Sequence, residues 1–108
     1  MAGNLGFRSR KVMPSEVVWL PSASRDVDRL REFLKPKNPL AAQRAAKRII
    51  EGVSTLRENP EIGKPVENLT DYRDLALTFG RGHYIIRYRA ETQRIVIIRV
   101  RHSKENGF

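Results

Sequence analysis

The chain has 108 residues, which is room for one domain with one hydrophobic core, and it carries 21 lysines and arginines against 12 aspartates and glutamates. The resulting charge of +9 favours anionic partners such as nucleic acid, a ribosome or an acidic protein. With no cysteine and only His83 and His102, the sequence excludes disulfides, thiolate metal sites and a histidine-rich metal centre, so no metal and no cofactor is expected.

Residues 1–14 hold little to bury and are expected to form a disordered basic tail, with Met13 a candidate start. The tail lacks the apolar core of about 7–15 residues that a secretory signal needs. Nowhere is there a run of about 20 apolar residues able to span a bilayer, so a cytoplasmic protein without membrane partners is expected. Residues 15–108 then form a single domain.

Glu16 to Leu20 is short, β-branched and aromatic, and Pro21 stops it, which predicts a strand with Trp19 in a structural role. A helix follows, with Ser22 or Ser24 as cap, and with Asp26 and Asp28 in the first turn facing the positive end of the macrodipole. Its apolar stripe is Val27, Leu30, Phe33 and Leu34, leaving Arg25, Asp28, Arg29, Arg31 and Glu32 to water, and Pro36 ends it. Asn38 as N-cap and Pro39 at the first position start a second helix. There Ala42, Ala45, Ala46, Ile49, Val53 and Leu56 recur at intervals of three and four. The alanines permit close approach of a neighbour, Gly52 weakens the helix by about 1 kcal/mol, and the two helices are expected to form an antiparallel hairpin.

Asn59-Pro60-Glu61-Ile62-Gly63-Lys64-Pro65 reads as a rigid loop, in which Gly63 can supply a positive φ. From Tyr72 the period changes to two: Leu75, Leu77 and Phe79 share one face, expected to meet the helices. Gly80-Arg81-Gly82 turns the chain into Tyr84–Arg89, and Ala90–Gln93 turns it into Arg94–Val100. This last segment is nearly continuous in apolar residues, as a central strand would be. The predicted class is α+β: strand, helical hairpin, then a three-stranded antiparallel meander, all in one sheet packed against two helices.

This order, together with the loop at 59–65, Tyr72-Arg73-Asp74-Leu75, Tyr84-Ile85-Ile86-Arg87-Tyr88-Arg89 and Ile97-Ile98-Arg99-Val100-Arg101-His102, resembles the RelE/ParE toxins from about Val17 onward. The resemblance implies a type II toxin–antitoxin module whose acidic or amphipathic antitoxin segment folds onto the toxin. ParE-like members poison DNA gyrase and RelE-like members cut messenger RNA on the ribosome, so the fold leaves the target open.

RNA cleavage needs a proton acceptor, a proton donor and positive charge for the phosphate. His102, with Glu105 three residues on, is the nearby residue suited to proton transfer, and Arg73 and Lys104 are the basic candidates beside it. The resemblance also points to what is missing: Leu75 and Ile85 stand where basic residues are expected, and Phe108 lacks the hydroxyl of a tyrosine. Arg73, Arg87, Arg89, Arg99, Arg101 and Lys104 could instead form a stripe that binds the target or the antitoxin. Phe79, Tyr84 and Tyr88 are spaced for the core, with base stacking the alternative. The preferred expectation is a ParE-like toxin that binds gyrase. The alternatives are a ribosome-dependent endoribonuclease and an inactive binding module of the same fold.

Overall fold

A computed structural model describes residues 16–108, and the expected tail at 1–14 lies outside them. In chain order the elements are β1 (Glu16–Trp19), α1 (Pro21–Leu34), α2 (Pro39–Thr55), β2 (Lys64–Pro65), β3 (Tyr72–Phe79), β4 (Gly82–Ala90) and β5 (Arg94–His102). The sheet runs β1-β5-β4-β3-β2, with β1 parallel to β5 and every other pair antiparallel. Both helices pack on one face of it and against each other, as the α+β expectation required.

Three local features depart from the sequence reading. First, Pro21 does not merely stop β1 but occupies the first position of α1, after an uncapped Leu20 whose amide is already bonded to Ile97 O at 3.0 Å. Neither serine caps the helix, and Asp26 and Asp28 lie beyond its first turn. Second, Lys64 and Pro65 pair with Asp74 and Arg73, making a two-residue edge strand where only loop was expected. Third, β4 is the middle strand and β5 lies beside it, although Ile95, Val96 and Ile97 are all buried as an interior strand demands.

The core joins Leu30 of α1, Ala45, Ile49 and Val53 of α2, and Leu75, Leu77, Tyr84, Ile86 and Tyr88 of the meander. Asn38 caps α2 as expected, accepting the Ala41 amide at 3.1 Å. Phe33 leaves the expected stripe: it is 63% exposed, with the Lys37 ammonium 3.8 Å from its ring centre. Gly52 is present for space, since a Cβ there would stand 2.3 Å from a Leu77 methyl. Gly52→Ala gains about 1 kcal/mol of helix propensity but overfills a core that charges about 1–3 kcal/mol for such insertions. A net loss of about 1 kcal/mol in urea unfolding is expected, and a stabilised variant would contradict the packing argument.

Gly63 is likewise set by close approach and not by a positive φ. A Cβ there would meet the Tyr88 ring at 2.7 Å. The Tyr88 hydroxyl, on a fully buried ring, accepts the Gly63 amide at 2.9 Å and donates to Pro60 O at 2.7 Å. The proline loop is thereby tied to the centre of the sheet.

β1 covers β5 only as far as Ile97, and side chains close the rest of that edge. Ser22 Oγ donates to Ile98 O at 2.8 Å, Asp26 Oδ2 accepts the Val100 amide at 2.8 Å, and Glu105 Oε1 accepts the His102 amide at 2.9 Å. An open edge would invite pairing with another chain. Here α1 and the segment after β5 take the place of a strand.

Candidate functional site

Alternation along β4 sends Tyr84, Ile86 and Tyr88 into the core and turns Ile85, Arg87 and Arg89 to the face away from the helices. Register places Arg87 opposite Arg99 and Ile85 opposite Arg101. The ring of Phe108 lies over this face, with the guanidinium carbons of Arg87, Arg101 and Arg99 at 4.6, 5.2 and 5.5 Å from its centre, distances suited to cation–π contact. The missing hydroxyl thus belongs to a ring that the fold does bring to the basic cluster.

Most of these cations are already engaged. Arg87 forms a two-point pair with Asp74 at 2.9 and 3.0 Å, and Arg99 a similar pair with Asp26 at 2.7 and 3.2 Å. Arg89 is held by Glu91, which also binds Arg94. Arg101 Nη1 donates to His102 O and Glu105 O, both at 3.2 Å, while its buried Nε has no partner among the described residues. Burial alone would raise the pKa of Asp26, but hydrogen bonds from Arg99, the Val100 amide and Arg29 outweigh it and hold the carboxyl below its usual range. Sequence reasoning missed these carboxylates. Asp26 resembled a helix-dipole residue, and only the strand register reveals Asp74 opposite Arg87.

The expected catalytic trio is divided. Arg73 pairs with Tyr88 in register and His102 with Tyr84, four residues apart on β4, or about 13 Å along the strand. Arg73 turns instead to the proline loop, donating to Gly63 O at 2.8 Å and Glu61 O at 3.1 Å. His102 stacks edge-on against Tyr84 on the helix side of the sheet. Its Nδ1 accepts the Lys104 amide at 3.0 Å, which assigns the proton of the neutral ring to Nε2. Burial and then the nearby Lys104 charge lower its pKa, so the neutral form prevails near pH 7.

His102 also forms part of a groove of about 670 Å³ between α1 and the β3–β4 turn. Leu30, Phe33, Leu34, Phe79 and Tyr84 supply its apolar wall, and Arg29, Arg81, Lys104 and Glu105 complete the lining. Arg29 is ion-paired to Glu105 and to Asp26, whereas Arg81 and Lys104 have no ion pair among the described residues. Among the described residues there is no His, Asp and Glu group fit for a metal ion, and no helix long and apolar enough to cross a membrane.

A family model described as the ParE toxin of the type II toxin–antitoxin system parDE matches residues 17–107. The chain belongs to the RelE/ParE family of toxins. It is 34% identical to Toxin RelE3 of Caulobacter vibrioides over 79% of this chain and 90% of that one. It is 33% identical to Toxin RelE2 of the same organism over 82% of this chain and 96% of the relative. Among solved structures it resembles a chain of the chromosomal ParDE toxin–antitoxin system from P. aeruginosa, at TM-score 0.66 and 27% identity, covering 82% of this chain and 94% of that one. A chain of the toxin–antitoxin complex RelBE2 from Mycobacterium tuberculosis matches at TM-score 0.61 and 27% identity, over 88% and 98%. The chain is therefore the toxin of a type II toxin–antitoxin system, on the fold its sequence predicted.

Proposed function

We propose that this toxin acts in the cytoplasm by binding a macromolecular target, DNA gyrase first among the candidates, and that a cognate antitoxin with an acidic or amphipathic segment neutralises it. The observation that carries this reading is the state of His102. A neutral ring whose Nδ1 already accepts a hydrogen bond offers an N–H and not a lone pair, so it is poorly placed as a general base. Arg73 is remote from it, and neither Leu75 nor Ile85 brings a further cation. The match to a ParE family model supports the same branch.

A second reading, ribosome-dependent cleavage of messenger RNA, is favoured by one feature: three guanidinium groups converge on Phe108 over an open sheet face, as phosphate recognition could use. Purified toxin should inhibit gyrase supercoiling and leave ribosome-bound messages uncut in primer extension. His102→Gln should leave growth arrest nearly intact. Were His102 the acid or base, the substitution would cut cleavage by about 100- to 10,000-fold, and codon-positioned cuts lost in the variant would overturn the gyrase reading. Normal growth at high toxin levels would point to an inactive binding module.

A further inference from the structure

Residues 58–74 carry five carboxylates and two cations, in a chain whose net charge is +9. Glu61, Glu67 and Asp71 have no ion pair among the described residues, whereas Asp26, Asp74, Glu91 and Glu105 each hold an arginine. Carboxylates without a partner therefore gather at the β2 end of the sheet. There the turn between β2 and β3 walls a cleft of about 480 Å³, to which Pro65, Val66, Leu69 and Tyr72 bring apolar surface and Glu61 and Asp71 their charges. Arg73, the cation in the lining, is turned to the carbonyls of Glu61 and Gly63. Leu69, and Ile62 close by in the chain, are exposed. The turn is firmly built: the Val66 amide donates to Tyr72 O at 3.0 Å, the Leu69 amide to Val66 O at 3.3 Å and the Tyr72 amide to Leu69 O at 3.1 Å. Asn68 and Asp71 take φ values of 67° and 68°, a region these two residue types tolerate. A surface already held in its bound shape loses little entropy on binding.

We propose that this cleft is where the toxin grips a protein target, through a basic segment of the target that sets an apolar side chain against Leu69 and its cations against Glu61, Glu67 and Asp71. The inference rests on the reading that the toxin acts by binding a macromolecule, and it makes that macromolecule a protein at this contact. A phosphate backbone brought here would meet three unpaired carboxylates and be repelled, and an acidic segment would be drawn to the rest of the surface instead. The cleft adjoins Tyr72 and the groove beside α1 adjoins Phe79, at opposite ends of β3 and about 23 Å apart along the strand. A short occupant of the one leaves the other open.

The test uses the full chain and a short fluorescent peptide of lysine and leucine as the probe, which most of the remaining surface of so basic a protein repels. Anisotropy should show the peptide binding to wild type. The triple variant Glu61→Gln, Glu67→Gln, Asp71→Asn should weaken it by about 10-fold at low salt, since exposed pairs are worth about 1.4- to 5-fold each. Leu69→Ser should weaken it by about 10-fold or more, the worth of a buried leucine, and salt should matter less to the triple variant than to wild type. Asp28→Asn, Glu32→Gln, Glu51→Gln changes the net charge equally on the helices and should leave binding as it was. Both cleft variants should melt with wild type and arrest growth less at matched soluble levels. A peptide that does not bind, one that binds the cleft variants as tightly as wild type, or growth arrest undiminished in those variants would overturn the cleft. The choice of gyrase fails separately: arrest lost in the variants while wild type leaves supercoiling untouched keeps the cleft and changes the target, and supercoiling inhibited equally by wild type and variants keeps gyrase and overturns the cleft.

Discussion

Replacing Asp26 with alanine is expected to lower the free energy of unfolding by about 3 kcal/mol, which for a domain of this size shifts the melting temperature down by roughly 15 °C. Asp26 is 5% exposed and holds three partners: the Val100 amide, Arg99 and Arg29. Its loss strands a buried amide at the edge of β5 and leaves Arg99 without its carboxylate, each a recognised source of large destabilisation. The contribution also depends on pH. The folded carboxyl titrates below its usual value, so in acid the unfolded chain binds the extra proton. The stabilisation is full above about pH 5 and is lost as pH falls below about 3.9 and through the folded value. Urea midpoints of wild type and Asp26→Asn should therefore converge in acid. A gap as wide at pH 3 as at pH 7 would show that the carboxylate charge is not what holds the edge.

The second large effect is expected at Tyr88. Tyr88→Phe keeps the buried ring and removes only the hydroxyl, leaving the Gly63 amide without its acceptor and Pro60 O without its donor. A buried donor stranded in this way costs about 1–3 kcal/mol. The loss should come with faster proteolysis between Asn59 and Gly63, because the loop has lost its tie to β4. A variant within 0.5 kcal/mol of wild type, about the scatter of neutral substitutions, would mean that the prolines alone hold the loop.

Where a residue's role is decided by its immediate neighbours in the chain, the sequence was informative. The Asn38-Pro39 start of α2, the alternation that gives β3 as Tyr72–Phe79, and the turn at Gly80-Arg81-Gly82 all follow from local chemistry. Long-range roles were harder to read. Asp26 meets β5 more than seventy positions later, and Lys64-Pro65 becomes a strand only because β3 offers it an edge. Of the six basic residues singled out, Arg87, Arg99 and Arg101 converge on Phe108, whereas Arg73 turns to the proline loop. Which of them remain free could not be read, because Arg87 and Arg99 are claimed by carboxylates of other elements and Arg101 by carbonyls at the end of its own strand and just after it. For His102 the residue type suggested proton transfer, but the amide of Lys104, two positions on, commits its Nδ1.

The parallel pairing of β1 with β5 joins Glu16 to Arg94 and Trp19 to Ile97, so nearly the whole domain lies between partners in one ladder. Contacts of such long sequence separation form late and slow the folding of a chain. During synthesis, β1 and α1 emerge first and must wait, with no strand for Asp26 to brace, until β5 has been made. The arginines of β5 and the ring of Phe108 come from that same stretch of chain. The basic face, whose arginines come from β4 and β5, is therefore complete only once β5 has been made and paired with β4.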